Sequence, residues 1–178
     1  MAAINPEDLQ INNIIFQIKD HKSANCKKIS IKYKHDDEKI TDLCIILGPI
    51  TSYGIKEGKN SENINYSLPL VIDDPKSNDI IEKITTKCKE FLKTQKLEKK
   101  LQNSIDSLDM LYHSPNNPIL YPRLLTKFQT SEIDTDFYEI NSGEEVSIDP
   151  KELIGQPIKI FTTLLINEIY IGNKISIN

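Results

Sequence analysis

The last third of the chain leaves few folds open to it. Ile158-Lys159-Ile160-Phe161-Thr162-Thr163-Leu164-Leu165-Ile166 and the following run from Glu168 to Ile177 are rich in β-branched and aromatic residues. That is strand chemistry on a half-buried pleated surface. Ahead of them stand Pro115, Pro118 and Pro122. Proline lacks an amide donor and pushes its preceding residue toward extended geometry, so regular helix is excluded there. The segment predicts an ordered extended strap that carries Tyr112, Tyr121 and Arg123.

Earlier strands read in the same way. Leu9–Ile18 is partly alternating and predicts a first strand. In Lys27–Lys34, Ile29, Ile31 and Tyr33 share one face, and Lys28, Ser30, Lys32 and Lys34 share the other. Ile40–Leu47 has a continuous apolar centre and predicts a strand buried on both faces, ended by Gly48-Pro49. Residues 51–66 predict a long loop or a weak strand pair. Tyr66–Ile72 predicts a short strand, at an edge or a bulge because of Pro69.

A helix interrupts this β pattern, from about Asp79 to Ser107, capped by Ser77 or Asn78. Ile81, Ile84, Cys88 and Phe91 or Leu92 form one apolar stripe. Leu97, Leu101, Ile105 and Leu108 form a second, offset from the first. The offset predicts a bend or two helices parting near Thr94-Gln95. Beyond the strap, Leu125–Thr130 and Asp136–Ile140 are candidate strands, Gly143-Glu144-Glu145 a turn, and Asp149–Gly155 one helical turn closed by glycine. Gly172-Asn173 marks a turn in the final run. Phe137, Tyr138, Phe161 and Tyr170 are read as barrel core, with room for one exposed ring among them. The expected fold is mainly β (α+β): one domain over 1–178, an antiparallel barrel with a helical insertion at about 77–110.

Charge narrows the function classes. The net charge of −4 excludes a global basic field. Residues 1–110 balance 17 Lys against 17 Asp and Glu, while residues 111–178 carry 5 Lys and Arg against 9 acids. Two local islands stand out. Lys19–Lys34 holds six lysines against Asp20, and Lys83–Lys100 holds seven against Glu90 and Glu98. Cys26, Cys44 and Cys88 are widely spaced and fit a reducing compartment. No apolar run reaches the roughly 20 residues that span a bilayer, so an intracellular, non-secreted protein is expected.

Enzyme signatures are missing. There is no phosphate-binding glycine loop, no Cys-x-x-Cys or His-x-x-x-His pair, and no nucleophile elbow. His21, His35 and His113 are isolated, and the acidic pairs lie in turn contexts. The sequence therefore predicts no catalytic residue, no metal site and no cofactor.

Binding chemistry is better represented. Lys28, Lys32 and Lys34 on one strand face have a spacing that can track phosphates. The same row would equally suit a charged edge strand that resists aggregation. Tyr112, Tyr121, Arg123, Lys127 and Phe128 place flat rings, a guanidinium and an ammonium within one strap, as single-strand binding requires. The rings and prolines would equally pack the strap onto the sheet. Glu132–Glu152 is too acidic for phosphate and would suit either a solvated rim or a docking surface for a basic protein partner. This gives the alternative function, a non-catalytic interaction or structural protein.

The ordered set comprises Pro118-Ile119-Leu120-Tyr121-Pro122-Arg123-Leu124, Thr135-Asp136-Phe137-Tyr138, Gly143-Glu144-Glu145-Val146, Asp149-Pro150 with Leu153-Ile154-Gly155, and Ile169-Tyr170-Ile171-Gly172-Asn173-Lys174-Ile175-Ser176. It resembles the single-stranded DNA-binding proteins of large cytoplasmic DNA viruses, which are similar to bacteriophage-type replication proteins with an OB fold. The resemblance covers about residues 110–177. It implies an OB-like barrel, sequence-tolerant binding of single-stranded DNA in replication, recombination or repair, and replication proteins as partners. It further implies cytoplasmic rather than nuclear residence and no cofactor. Family members commonly add a strand and an acidic tail beyond the equivalent of Lys174-Ile175-Ser176. A last strand ending at Asn178 also offers an edge to a second copy, so a homodimer is among the expected partners.

Overall fold

The computed structural model describes residues 3–19, 26–60, 63–127, 130 and 132–178. In chain order the strands are β1 (Ile14–Lys19), β2 (Lys27–Lys34), β3 (Ile40–Ser52), β4 (Lys56–Asn60), β5 (Asn63–Ser67) and β6 (Leu70–Val71). Helices α1 (Pro75–Lys93) and α2 (Lys99–Ser104) come next. Then follow β7 (Leu111–His113), β8 (Pro118–Leu120), β9 (Phe137–Asn141), β10 (Glu144–Ile148), β11 (Ile158–Ile166), β12 (Glu168–Ile171) and β13 (Ile175–Ile177). The protein is mainly β with antiparallel ladders. It forms two compact units. One comprises Met1–Gly48, Asp73–Tyr112 and Phe161–Asn178, and the other Pro49–Ile72 and His113–Ile160.

The first unit is organised around β2. Along one edge β2 pairs with β1, from Ile14 opposite Tyr33 to Lys19 opposite Lys28. Its other edge is divided. Residues 27–30 pair with β12, residues 32–34 pair with β3, and at the fork the Ile31 amide donates to the Asn167 carbonyl at 2.8 Å. β2 is thus an interior strand, which removes the edge-strand explanation for its lysines. Among the described residues β1 pairs only with β2, and β13 only with β12, so no ladder there closes this sheet into a barrel.

The apolar face of β2 forms the core. Ile29, Ile31 and Tyr33 are buried, as are Ile169 and Ile171 of β12. Helix α1 covers this face with Ile80, Ile81, Ile84, Cys88 and Leu92, and Phe91 stacks on Phe16 of β1 with ring centroids 4.2 Å apart. The first predicted stripe is therefore core. The second belongs to α2 and the turns around it, where Ile105 and Leu108 are buried. The helices part at Thr94-Gln95. As expected, Leu43, Cys44 and Ile45 of β3 are buried one after another.

Several boundaries differ from expectation. β1 begins at Ile14 and not at Leu9, because Ile11–Asn13 forms a 3-10 turn. Glu144 and Glu145, expected in a turn with Gly143, already belong to β10. The α1 N-cap is Asp74, not Ser77 or Asn78: its Oδ2 accepts the Ser77 amide at 2.8 Å, and Pro75 opens the first turn. The Ser77 hydrogen bonds hold the Asp74 carboxyl below its ordinary value of 3.8. A depressed carboxyl contributes fully above the unfolded-state value, and its contribution is lost as pH falls through the lowered one. Asp74→Ala should cost about 0.5–2 kcal/mol at neutral pH. In denaturant titrations the difference from the parent should shrink as the pH is taken below about 3.8. Gly48-Pro49 does not end β3. Gly48 takes φ 133°, open to glycine, and the strand runs on to Ser52.

The second unit contains the strap. Ser52 pairs with Leu70 and Leu70 with Leu120, so β3, β6 and β8 lie side by side. The antiparallel register continues past β8. Leu68 donates to the Pro122 carbonyl at 3.0 Å, Leu124 donates to the Tyr66 carbonyl at 2.9 Å, and Ser67 lies opposite Arg123. Pro122 and Pro69 each lack an amide donor, which is why the ladder is interrupted along one extended pairing. Within residues 51–66, read as a long loop or a weak strand pair, β4 pairs antiparallel with β5 from Lys56 opposite Ser67 to Asn60 opposite Asn63. In the candidate strand Leu125–Thr130 the described residues 125–127 form no strand, and Thr126 makes an isolated bridge to Ile133; residues 128 and 129 lie outside the described residues. β9 and β10 form a separate hairpin turning at Ser142-Gly143, with φ 54° and 88°. Two positive values are what a two-residue turn of this hand needs. Asp149–Gly155 is the expected helical turn, with Asp149 capping Lys151 and Gly155 at φ 69°.

Candidate nucleic-acid interface

The strap pairing fixes which side chains share a face in the second unit. Lys56 lies opposite Ser67, and Ser67 lies opposite Arg123. Lys56 and Arg123 therefore sit in one row across three strands, with backbones about 10 Å apart at ordinary strand spacing. Tyr121 is two residues before Arg123, so it shares that face. Tyr121 is 46% exposed, and Lys56 and Arg123 are exposed. Neither cation makes an ion pair among the described residues. On the opposite face, Ile64 and Tyr66 line a hollow with Thr130, Ile133 and Asp149–Lys151. One side of this sheet is thus occupied by loops, and the other presents a ring and two cations to solvent.

Lys56 was not singled out from the sequence. It lies in a stretch that looked like loop, and only the β4–β5–strap register brings it beside Arg123. Lys127 is exposed, and Glu132 draws its ammonium into an ion pair at 3.5 Å. Phe128 lies outside the described residues. Tyr112, in β7, is 62% exposed and belongs to the first unit.

The predicted lysine face is in the first unit, and its three charges are all engaged. Lys28 pairs with Glu168 at 3.2 Å, Lys32 with Asp42, and Lys34 with Glu38 at 3.0 Å. Asp42 is directly opposite Lys32 in the ladder, a favourable cross-strand pair. The row is therefore electrically balanced at short range, and its ammonium groups face carboxylates before they face any phosphate. Tyr170, assigned to the core by its pattern, lies opposite Lys28 on this same side and is half-buried. Its ring folds over Gly172, where a Cβ would come within 2.8 Å of Tyr170 Cε1.

The other aromatic assignments divide. Phe137 is buried, but Tyr138 is 56% and Phe161 68% exposed. Phase explains Phe161: it alternates with Lys159 and Thr163 on the exposed side of β11, while Leu164 and Ile166 are buried. The second basic island is partly neutralised. Lys83 pairs with Asp79 at 2.6 Å, and Lys93 with Asp106 at 2.8 Å.

Among the described residues no group of three His, Cys, Asp or Glu could hold a metal ion. His35 shares a 2.9 Å hydrogen bond with Thr41 Oγ1. Cys88 is buried, and burial pushes its thiol up to about 12, so it is no nucleophile at neutral pH. No helix among the described residues is long and apolar enough to cross a membrane. No curated protein and no solved structure matches the chain. Residues 11–178 match the family described as protein of unknown function (DUF2738), and the chain belongs to that family.

Proposed function

We propose that this protein binds single-stranded DNA without sequence preference and acts in replication, recombination or repair. The observation that carries the reading is the exposed Tyr121–Arg123–Lys56 face. A ring beside two cations that make no ion pair among the described residues suits alternating base and phosphate groups, because every base has a π-face and every link a charge. Stacking on Tyr121 would contribute about 1–3 kcal/mol per base. Arg123 and Lys56 would neutralise phosphates. The paired lysines 28, 32 and 34 would add to binding only by exchanging carboxylate for phosphate, so they rank below the strap. The resemblance at residues 110–177 supports the same reading. Part of the proposal is an OB-like arrangement, for which the forked pairing of β2 is a suitable starting point. The protein acts here as a binding module and not as an enzyme.

Fluorescence anisotropy with labelled oligo-dT tests this. Tight binding is expected, with weaker binding to duplex. Two phosphate contacts predict a slope of log K against log salt of about −1.4. Absence of binding at low salt would remove nucleic acid as the ligand.

A further inference from the structure

The β9–β10 hairpin stands apart from every other ladder. Its two strands form a two-stranded sheet of their own. Such a hairpin is at best marginally stable in water, because each strand has hydrogen bonds on one edge only. The register and the two-residue turn make Asn141–Glu144 and Glu139–Val146 hydrogen-bonded pairs. The amides and carbonyls of Tyr138 and Ile140 therefore point outward from β9. They bond to no other backbone among the described residues.

This edge lacks the usual protections. Phe137-Tyr138-Glu139-Ile140-Asn141 contains no proline and no lysine, and its ladder has no bulge. Its side chains are apolar and acidic together. Tyr138 is 56%, Ile140 68% and Val146 48% exposed. Glu139, Glu144 and Glu145 lie on the hairpin, and no Lys or Arg occurs between Lys127 and Lys151. None of the three carboxylates makes an ion pair among the described residues. An edge that is open, apolar and uniformly acidic has a definite complement: an extended chain with alternating basic and apolar side chains.

We infer that the hairpin is a docking site for a lysine-rich extended segment of a partner protein, which adds to β9 as a third strand. Main-chain hydrogen bonds to Tyr138 and Ile140 supply affinity, and the carboxylates select a basic sequence. Tyr138 and Ile140 receive the apolar side chains of the incoming strand. This inference uses none of the residues assigned to single-strand binding and stands without that reading.

The test uses the full chain and a fluorescent hexapeptide of alternating lysine and valine. A second copy of the peptide carries N-methyl groups on alternate backbone amides. The unmodified peptide should bind. Methylation should weaken it at least tenfold, because strand addition needs those donors while the charge is unchanged. Ile140→Pro removes an outward donor and leaves the hairpin's own bonds, so it should give a similar loss. Glu139→Gln with Glu144→Gln and Glu145→Gln should weaken binding and flatten its salt dependence. Equal binding of the methylated peptide would reduce the contact to plain charge attraction and overturn the proposal. So would absence of binding, or self-association of the chain through this hairpin in place of peptide capture.

Discussion

Replacing Tyr121 and Arg123 together with alanine should weaken single-strand binding at least several-fold while leaving thermal unfolding unchanged. The ring accounts for most of the loss. Stacking contributes about 1–3 kcal/mol, and about 1.4 kcal/mol is a factor of ten in affinity. Fold should survive because the strap is held by main-chain bonds: Leu68 to the Pro122 carbonyl and Leu124 to the Tyr66 carbonyl use neither side chain. The salt slope should become shallower by about 0.7, one phosphate contact. Lys28→Ala should matter less, since that ammonium is already shared with Glu168 at 3.2 Å. Unchanged affinity in a folded double variant would remove the strap from the interface. A larger loss in Lys28→Ala would move the interface to the first unit.

Gly54→Ala should be the most destabilising small substitution in the second unit. Gly54 has φ 81°, and a Cβ there would lie 2.4 Å from the Gln156 carbonyl oxygen, 2.5 Å from its amide nitrogen and 2.8 Å from the Leu153 oxygen. All three are backbone atoms, so no side chain can swing away. The contact is close because Ile55 is pinned: its amide donates to Leu153 at 2.9 Å, and its carbonyl accepts from Gly155 at 3.0 Å. Left-handed strain of about 1–2 kcal/mol adds to an overpacking cost of about 1–3 kcal/mol. Gly143→Ala is the control. It has a similar φ of 88° with nothing within 4 Å, so only the strain applies. Denaturant midpoints should therefore fall markedly for Gly54→Ala and slightly for Gly143→Ala. Equal shifts would show that backbone proximity at Gly54 has no energetic weight.

Much of the secondary structure was legible locally. β2 alternates so cleanly that its buried and charged faces could be assigned from Lys27–Lys34 alone. The offset of the two helical stripes located the break at Thr94-Gln95. The helical turn at Asp149–Gly155 was legible from its closing glycine, and the structure adds Asp149 as its cap. Other errors had identifiable causes. Phe161 was assigned to the core by residue type when its phase with Lys159 and Thr163 placed it outside. Asp74 was passed over as the cap although Pro75 follows it, the usual order at a helix start.

The sequence by itself determined that Lys27–Lys34, Ile40–Leu47 and the final runs are extended, that helix follows Asp74, and which face of β2 and of α1 is apolar. These properties repeat with the period of the backbone and need no distant partner. Only the tertiary structure decided what stands opposite what. It gave Lys28 and Lys32 the carboxylates of Glu168 and Asp42, set Lys56 in a row with Arg123, and left the β9 edge without a strand partner among the described residues. Register is a property of two segments together, settled by how the chain returns. A lysine's pattern on its own strand therefore cannot tell whether its charge is open to a ligand or already answered from across the sheet.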